Sequence, residues 1–97
     1  MLMAKLILTR VQKLDNGNYQ YYFKRISSKV RIPQIAEYIG TILKIRCSII
    51  EGYLVILDYA SDYLTLANSL QKLDISITVH NSVYVAHNPE NFGRKLE

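Results

Sequence analysis

The side chains able to do chemistry in this chain are cations and tyrosines, and their spacing matters more than their number. Lys13, Lys24, Arg25 and Arg46 offer charge for phosphate oxygens, while Tyr22 and Tyr53 offer flat rings for an unstacked base. In extended segments alternate residues share a face. Alternation gathers Lys5, Lys13, Lys24 and Arg46 with Tyr22, Tyr53 and Tyr59 on one side of a sheet. Binders of single-stranded nucleic acid combine such rings with such charge, although the RNP-type sequence of one such class is absent.

The rest of the sequence argues against catalysis. His80 and His87 flank a short turn but do not face each other across it, and Cys47 is the only cysteine. No metal-ligand spacing results, so neither a metal nor another cofactor is expected. Cys47 alternates inward between Ile45 and Ile49, the position of a small apolar filler and not of a nucleophile. The carboxylates are scattered, and Asp62 already has a role as a helix N-cap. Four separated glycines cannot build a phosphate loop. Any enzyme made from this chain would need a site shared between subunits.

Charge is divided unevenly along the chain. Residues 1–46 hold nine Lys/Arg against Asp15 and Glu37, a balance of +7, whereas residues 47–97 hold three against six, a balance of −3. A net charge of +4 thus conceals a dipolar molecule whose basic half would meet a polyanion first. A single cysteine excludes an internal disulfide and fits a reducing compartment, which makes the cytoplasm the expected location. The apolar start at Met1 is interrupted by Lys5 and ends at Thr9-Arg10, so it reads as a strand and no membrane association is expected.

The elements that must position these residues are marked by turn chemistry. Asp15-Asn16-Gly17-Asn18 joins strand 5–13 to strand 19–26 through a type I′ turn at Asn16-Gly17. Glu51-Gly52 joins strand 45–50 to strand 53–59, and Asn81-Ser82 joins 75–80 to 83–87. Between the hairpins, Pro33 opens a helix with the stripe Ile35, Ile39, Ile42 and Leu43. A second helix starts at Ser61-Asp62 with the stripe Leu64, Ala67, Leu70 and Leu73. The fold class is α+β in ββαββαββ order, an antiparallel sheet with both helices on one face, and a ferredoxin-like variant is one option. A single domain over residues 1–87 is expected, followed by a partly ordered tail, 88–97.

Facing is expected as follows. Leu6, Leu8, Tyr21 and Phe23 point into the core, with the opposite set (Ile7, Val11, Tyr22, Ile26) as the alternative for that hairpin. Ile45, Cys47, Ile49, Leu54 and Ile56 point inward from the second hairpin. Val55 and Leu57 would then be exposed, which suggests a homodimer covering that face.

The ββαββα rhythm and the stretch Phe23-Lys24-Arg25-Ile26-Ser27-Ser28-Lys29 resemble half-domains of the LAGLIDADG homing endonucleases. That resemblance implies a basic, twisted sheet suited to nucleic acid. It does not imply cleavage, because the acidic metal ligand that family carries ahead of its first strand has no counterpart in Met1-Leu2-Met3-Ala4. The expectation is a small basic, non-enzymatic nucleic-acid-binding protein, for DNA or RNA with little sequence specificity, acting as a homo-oligomer. The alternative is a protein-interaction module, an inhibitor or adaptor whose basic half binds an acidic protein.

Overall fold

A computed structural model describes residues 3–27 and 29–80. Strands β1 (Ala4–Lys13) and β2 (Tyr19–Ser27) are followed by helix α1 (Ile32–Tyr38), which runs on as a π-helical turn, Ile39–Leu43. Then come β3 (Cys47–Ile50), β4 (Tyr53–Tyr59), helix α2 (Tyr63–Gln71) and β5 (Ile75–Val79). The partner strand expected at 83–87 and the tail 88–97 lie outside the described residues.

The class is α+β, but the sheet is mixed where a purely antiparallel one was expected. Its five strands run in the order β3-β4-β2-β1-β5, with β5 parallel to β1. A ferredoxin-like order would place β5 beside β2, and here β1 occupies that position. The tight turn after β1 fixes β1 against β2, so the chain leaving α2 meets the far edge of β1.

The first hairpin turn departs from the type expected of it. Gly17 has φ 91° but Asn16 does not have positive φ, so Asn16-Gly17 is not a type I′ pair. The Gly17 N–H donates to the Leu14 carbonyl at 3.0 Å and the Leu14 N–H to the Asn18 carbonyl at 2.8 Å. This is the turn plus glycine bulge of a three-residue loop. It is favoured because Asn16 Oδ1 accepts the Asn18 N–H at 2.9 Å. The type I′ geometry occurs instead at Glu51 and Gly52, with φ 52° and 84°.

Both helices contribute to one core. Leu6, Leu8, Tyr21, Phe23, Leu54 and Ile56, all expected inside, are fully buried against Ile35, Ile39, Leu66 and Leu70. Each such side chain contributes roughly 1.5–3 kcal/mol of burial. Pro33 lies in the first turn of α1, and the Asp62 carboxylate caps α2 by accepting the Thr65 N–H at 3.0 Å. Two helical stripes are rotated from expectation. In the wider π-helical turn Ile42 leaves the inward line and is 53% exposed. In α2 Leu70 and the following Leu73 are buried as expected, but Tyr63 and Leu66 join them, with Leu64 and Ala67 at the margin of the core.

Irregularities in pairing decide what the sheet displays. In β1 both Thr9 and Arg10 stand against Tyr22, in β4 an extra residue enters between Ile56 and Tyr59, and in β2 one enters between Arg25 and Ser27. Every such insertion flips the facing of the residues beyond it.

Candidate nucleic-acid interface

Helices cover one face of the sheet, and the other carries the candidate site. On β2, Tyr22 and Lys24 point to this helix-free face because their neighbours Tyr21 and Phe23 are wholly buried on the opposite one. Tyr53, the first residue of β4, meets Tyr22 edge to face, with ring centroids 6.3 Å apart and planes at 77°. The Lys24 ammonium lies 5.4 Å from the centre of the Tyr53 ring. Sequence reasoning thus placed Tyr22, Lys24 and Tyr53 on the face where the structure brings them together.

Arg10 completes the cluster and was missed. Its guanidinium lies 5.0 Å from the centre of the Tyr22 ring and also donates to Gln12 Oε1 at 3.4 Å. Strict alternation from Leu6 and Leu8 would turn Arg10 inward. The bulge at Thr9-Arg10 instead puts Val11 in the core and Arg10 outside. The spacing Leu6, Leu8, Val11 carries that information, since a third inward residue three positions on requires one extra residue. Tyr22 is itself well anchored: the Gln20 side-chain amide donates to its hydroxyl at 3.0 Å, and the Thr9 hydroxyl donates to its carbonyl at 3.3 Å.

Two expected members, Lys13 and Tyr59, fall elsewhere, and Arg25 stands at the margin. Beyond the bulge Lys13 pairs with Tyr19, whose ring packs on the core, so the register assigns Lys13 to the helix side. Arg25 pairs with the inward Leu6 and donates to the Val30 carbonyl at 3.2 Å, on the approach to α1, and there it lines a hollow of about 470 Å³ with Lys24 and Tyr53. Tyr59 is turned into the core by the β4 bulge and meets Tyr21 edge on at 6.1 Å. Arg46 does reach the helix-free face, but its guanidinium is 3.9 Å from the Asp58 carboxylate.

Asp58 occupies the bulge itself, with φ 46°. Its Oδ1 accepts from the side-chain amides of Asn16 and Asn18, each at 2.9 Å, tying the first hairpin loop to β4. The Asn16 and Asn18 donors, and more weakly Arg46, hold this carboxyl below its ordinary pKa. The exposure expected of Val55 and Leu57 is not found: Val55, directly opposite Tyr22, is fully buried, and Leu57 is half-buried.

The surface around Tyr53 is relieved by open hollows. One, of about 320 Å³, is lined by Thr9, Arg10, Tyr22, Ile50 and Glu51 as well as Tyr53. A neighbour of about 360 Å³ adds Ile7, Lys24 and His80. Neither is closed like a small-molecule pocket, and both suit a ligand that lies across the face. Glu51, in the turn, is the acidic group at the rim. No group of three potential metal ligands occurs among the described residues. Cys47 is half-buried, its thiol sits 3.2 Å from the Ala36 carbonyl, and burial pushes its pKa up, away from nucleophilic character. No helix among the described residues is long and apolar enough to cross a membrane.

No known protein family, no curated protein and no solved structure matches the chain.

Proposed function

We propose that this chain is a non-enzymatic, cytoplasmic nucleic-acid-binding protein that uses the helix-free sheet face and acts as a homo-oligomer. One observation carries the reading. Arg10 lies over the Tyr22 ring and Lys24 over the Tyr53 ring on an open face, and neither cation has a carboxylate partner within ion-pair distance among the described residues. Lys5 lies at the end of the same face of β1, and the hydroxyls of Ser48 and Thr78 add groups suited to phosphate and sugar. Nothing on the face presents a helix of base-reading side chains, so affinity should depend on salt and little on sequence.

Self-association is assigned to the β3 edge of the sheet. Because Ile50 and Tyr53 close a type I′ turn, they exchange hydrogen bonds, and Cys47 and Ile49 turn their backbone groups away from β4. The four-residue strand has no Lys, Pro or bulge to block pairing, and Ile49 and Ile50 are 41% and 39% exposed. An antiparallel two-fold pair with Ser48 opposite the partner's Ser48 satisfies those groups and continues the basic face across both copies.

The test is titration of a labelled mixed-sequence 20-mer at several salt concentrations. Three to four phosphate contacts predict a slope of about −3 to −4 in log K against log salt. Absence of binding at low salt would end the reading and favour an acidic protein partner.

A further inference from the structure

We propose that Arg10 and Lys24 form a pre-set phosphate clamp held by Tyr22 and Tyr53, and that its ligand is the backbone of a duplex whose bases remain stacked. This rests on the nucleic-acid reading above and narrows it, because the rings were expected from sequence to be platforms for unstacked bases.

The geometry is unsuited to stacking. A base needs an open ring face. Here each ring already has a cation over it, at 5.0 Å for Arg10 on Tyr22 and 5.4 Å for Lys24 on Tyr53. The two rings also spend an edge and a face on each other. A base arriving on Tyr22 would displace Arg10, and one on Tyr53 would displace Lys24. Stacking would therefore disperse the charges needed for the adjoining phosphates. The two functions compete for the same surface.

Phosphate contact needs no such displacement. A cation lying over a ring keeps its N–H groups at the rim available, and the ring narrows the positions that a long side chain samples. Tyr22 is held at its hydroxyl by Gln20 and at its carbonyl by Thr9, so the support under Arg10 is itself fixed. Arg10 is steadied further by Gln12. Arg10 stands opposite Tyr22 across the strand pair, and Lys24 lies two residues along β2 from Tyr22, so the cations reach out at different points along the sheet. A duplex offers phosphates from two strands, at one charge per about 1.7 Å of axis, and gives two fixed cations more partners than a single strand does. The rest of the described face displays Gln12, Ser76 and Thr78, hydrogen-bonding groups, with the exposed His80 ring at the hollow beside Lys24 and Tyr53.

The test compares one mixed-sequence 20-bp DNA duplex with each of its single strands at low salt, followed by tyrosine emission. The duplex should bind at least about tenfold more tightly, without quenching of the tyrosines. Arg10→Ala and Lys24→Ala should each lower the salt slope by about one. Tyr53→Leu should weaken the duplex about two- to fivefold with unchanged circular dichroism. Single strands bound as tightly as the duplex, with emission quenched, would overturn the clamp and leave nucleic-acid binding standing. No binding of either form would remove both.

Discussion

The two ends of the helix-free face hold cations in opposite ways. Around Tyr22 and Tyr53, Arg10 and Lys24 lie over neutral rings and keep their charge for something outside the molecule. At the other end Arg46 faces Asp58, whose Oδ1 already accepts two amide donors from the first hairpin loop. A count of positive residues, two at one end and one at the other, says nothing of how they are held. What separates them is the neighbour: a ring orients a cation without neutralising it, whereas a carboxylate spends part of its field. In the function proposed above, the Tyr22 end serves the ligand. The Asp58 end is arranged for the fold.

The most damaging change should be at the loop serving the Asp58 end. Gly17→Val places a β-branched residue at φ 91°, a true steric conflict although open space surrounds the position. A loss of about 1–3 kcal/mol is expected, lowering the melting temperature by roughly 5–15 °C in a domain of this size. An exposed control, Gln71→Ala, should stay within about 2 °C. Equal melting temperatures would show that the loop does not set the register.

Cys47→Ala should cost about 1–2 kcal/mol, from a lost small side chain beside Ala36. Its half-burial argues for the lower figure. Denaturant melts check this, and binding to the 20-mer should not change.

The Asp58 clasp should reveal itself through pH. Its folded pKa is lowered below the ordinary value of 3.8, so its contribution is present above that value and lost as pH falls through the folded one. Asp58→Asn keeps a residue tolerant of positive φ and removes the charge. The variant should melt slightly below the parent at pH 6, and the difference should shrink by pH 2.5. A gap independent of pH would assign the clasp to shape alone.

The smallest effect should come from Glu51, the acid at the rim of the ligand end and a left-handed turn residue at φ 52°. Glu51→Asn suits the type I′ turn better and removes a charge that repels phosphate. Affinity should rise about two- to threefold and stability by a few tenths of a kcal/mol. A fall in affinity would mean that Glu51 contacts the ligand favourably.

The inward residues Leu6, Leu8, Tyr21, Phe23, Leu54 and Ile56 were legible because regular alternation is a local property of strands. The elements followed for the same reason, since Pro33, Asp62 and the Gly-containing turns act on their immediate neighbours. The sheet order was not legible: β5 pairs with β1 across more than sixty residues, and no local pattern marks a parallel partner. Nor were the bulges. One extra residue reverses everything beyond it, so Arg10 gained the site, while Lys13 and Tyr59 lost it. The facing of Tyr22, Lys24 and Tyr53 was legible because no irregularity separates them from the buried Tyr21, Phe23 and Leu54.

The most direct measurement is the salt dependence of DNA affinity for the parent, Lys24→Ala and Arg46→Ala, side by side on one 20-bp duplex. Lys24→Ala should lower the slope by about one and weaken binding roughly three- to tenfold, while Arg46→Ala should change affinity by less than about twofold. Equal losses from the two variants, or a larger loss from Arg46→Ala, would contradict the assignment of the ligand to the Tyr22–Tyr53 end of the face.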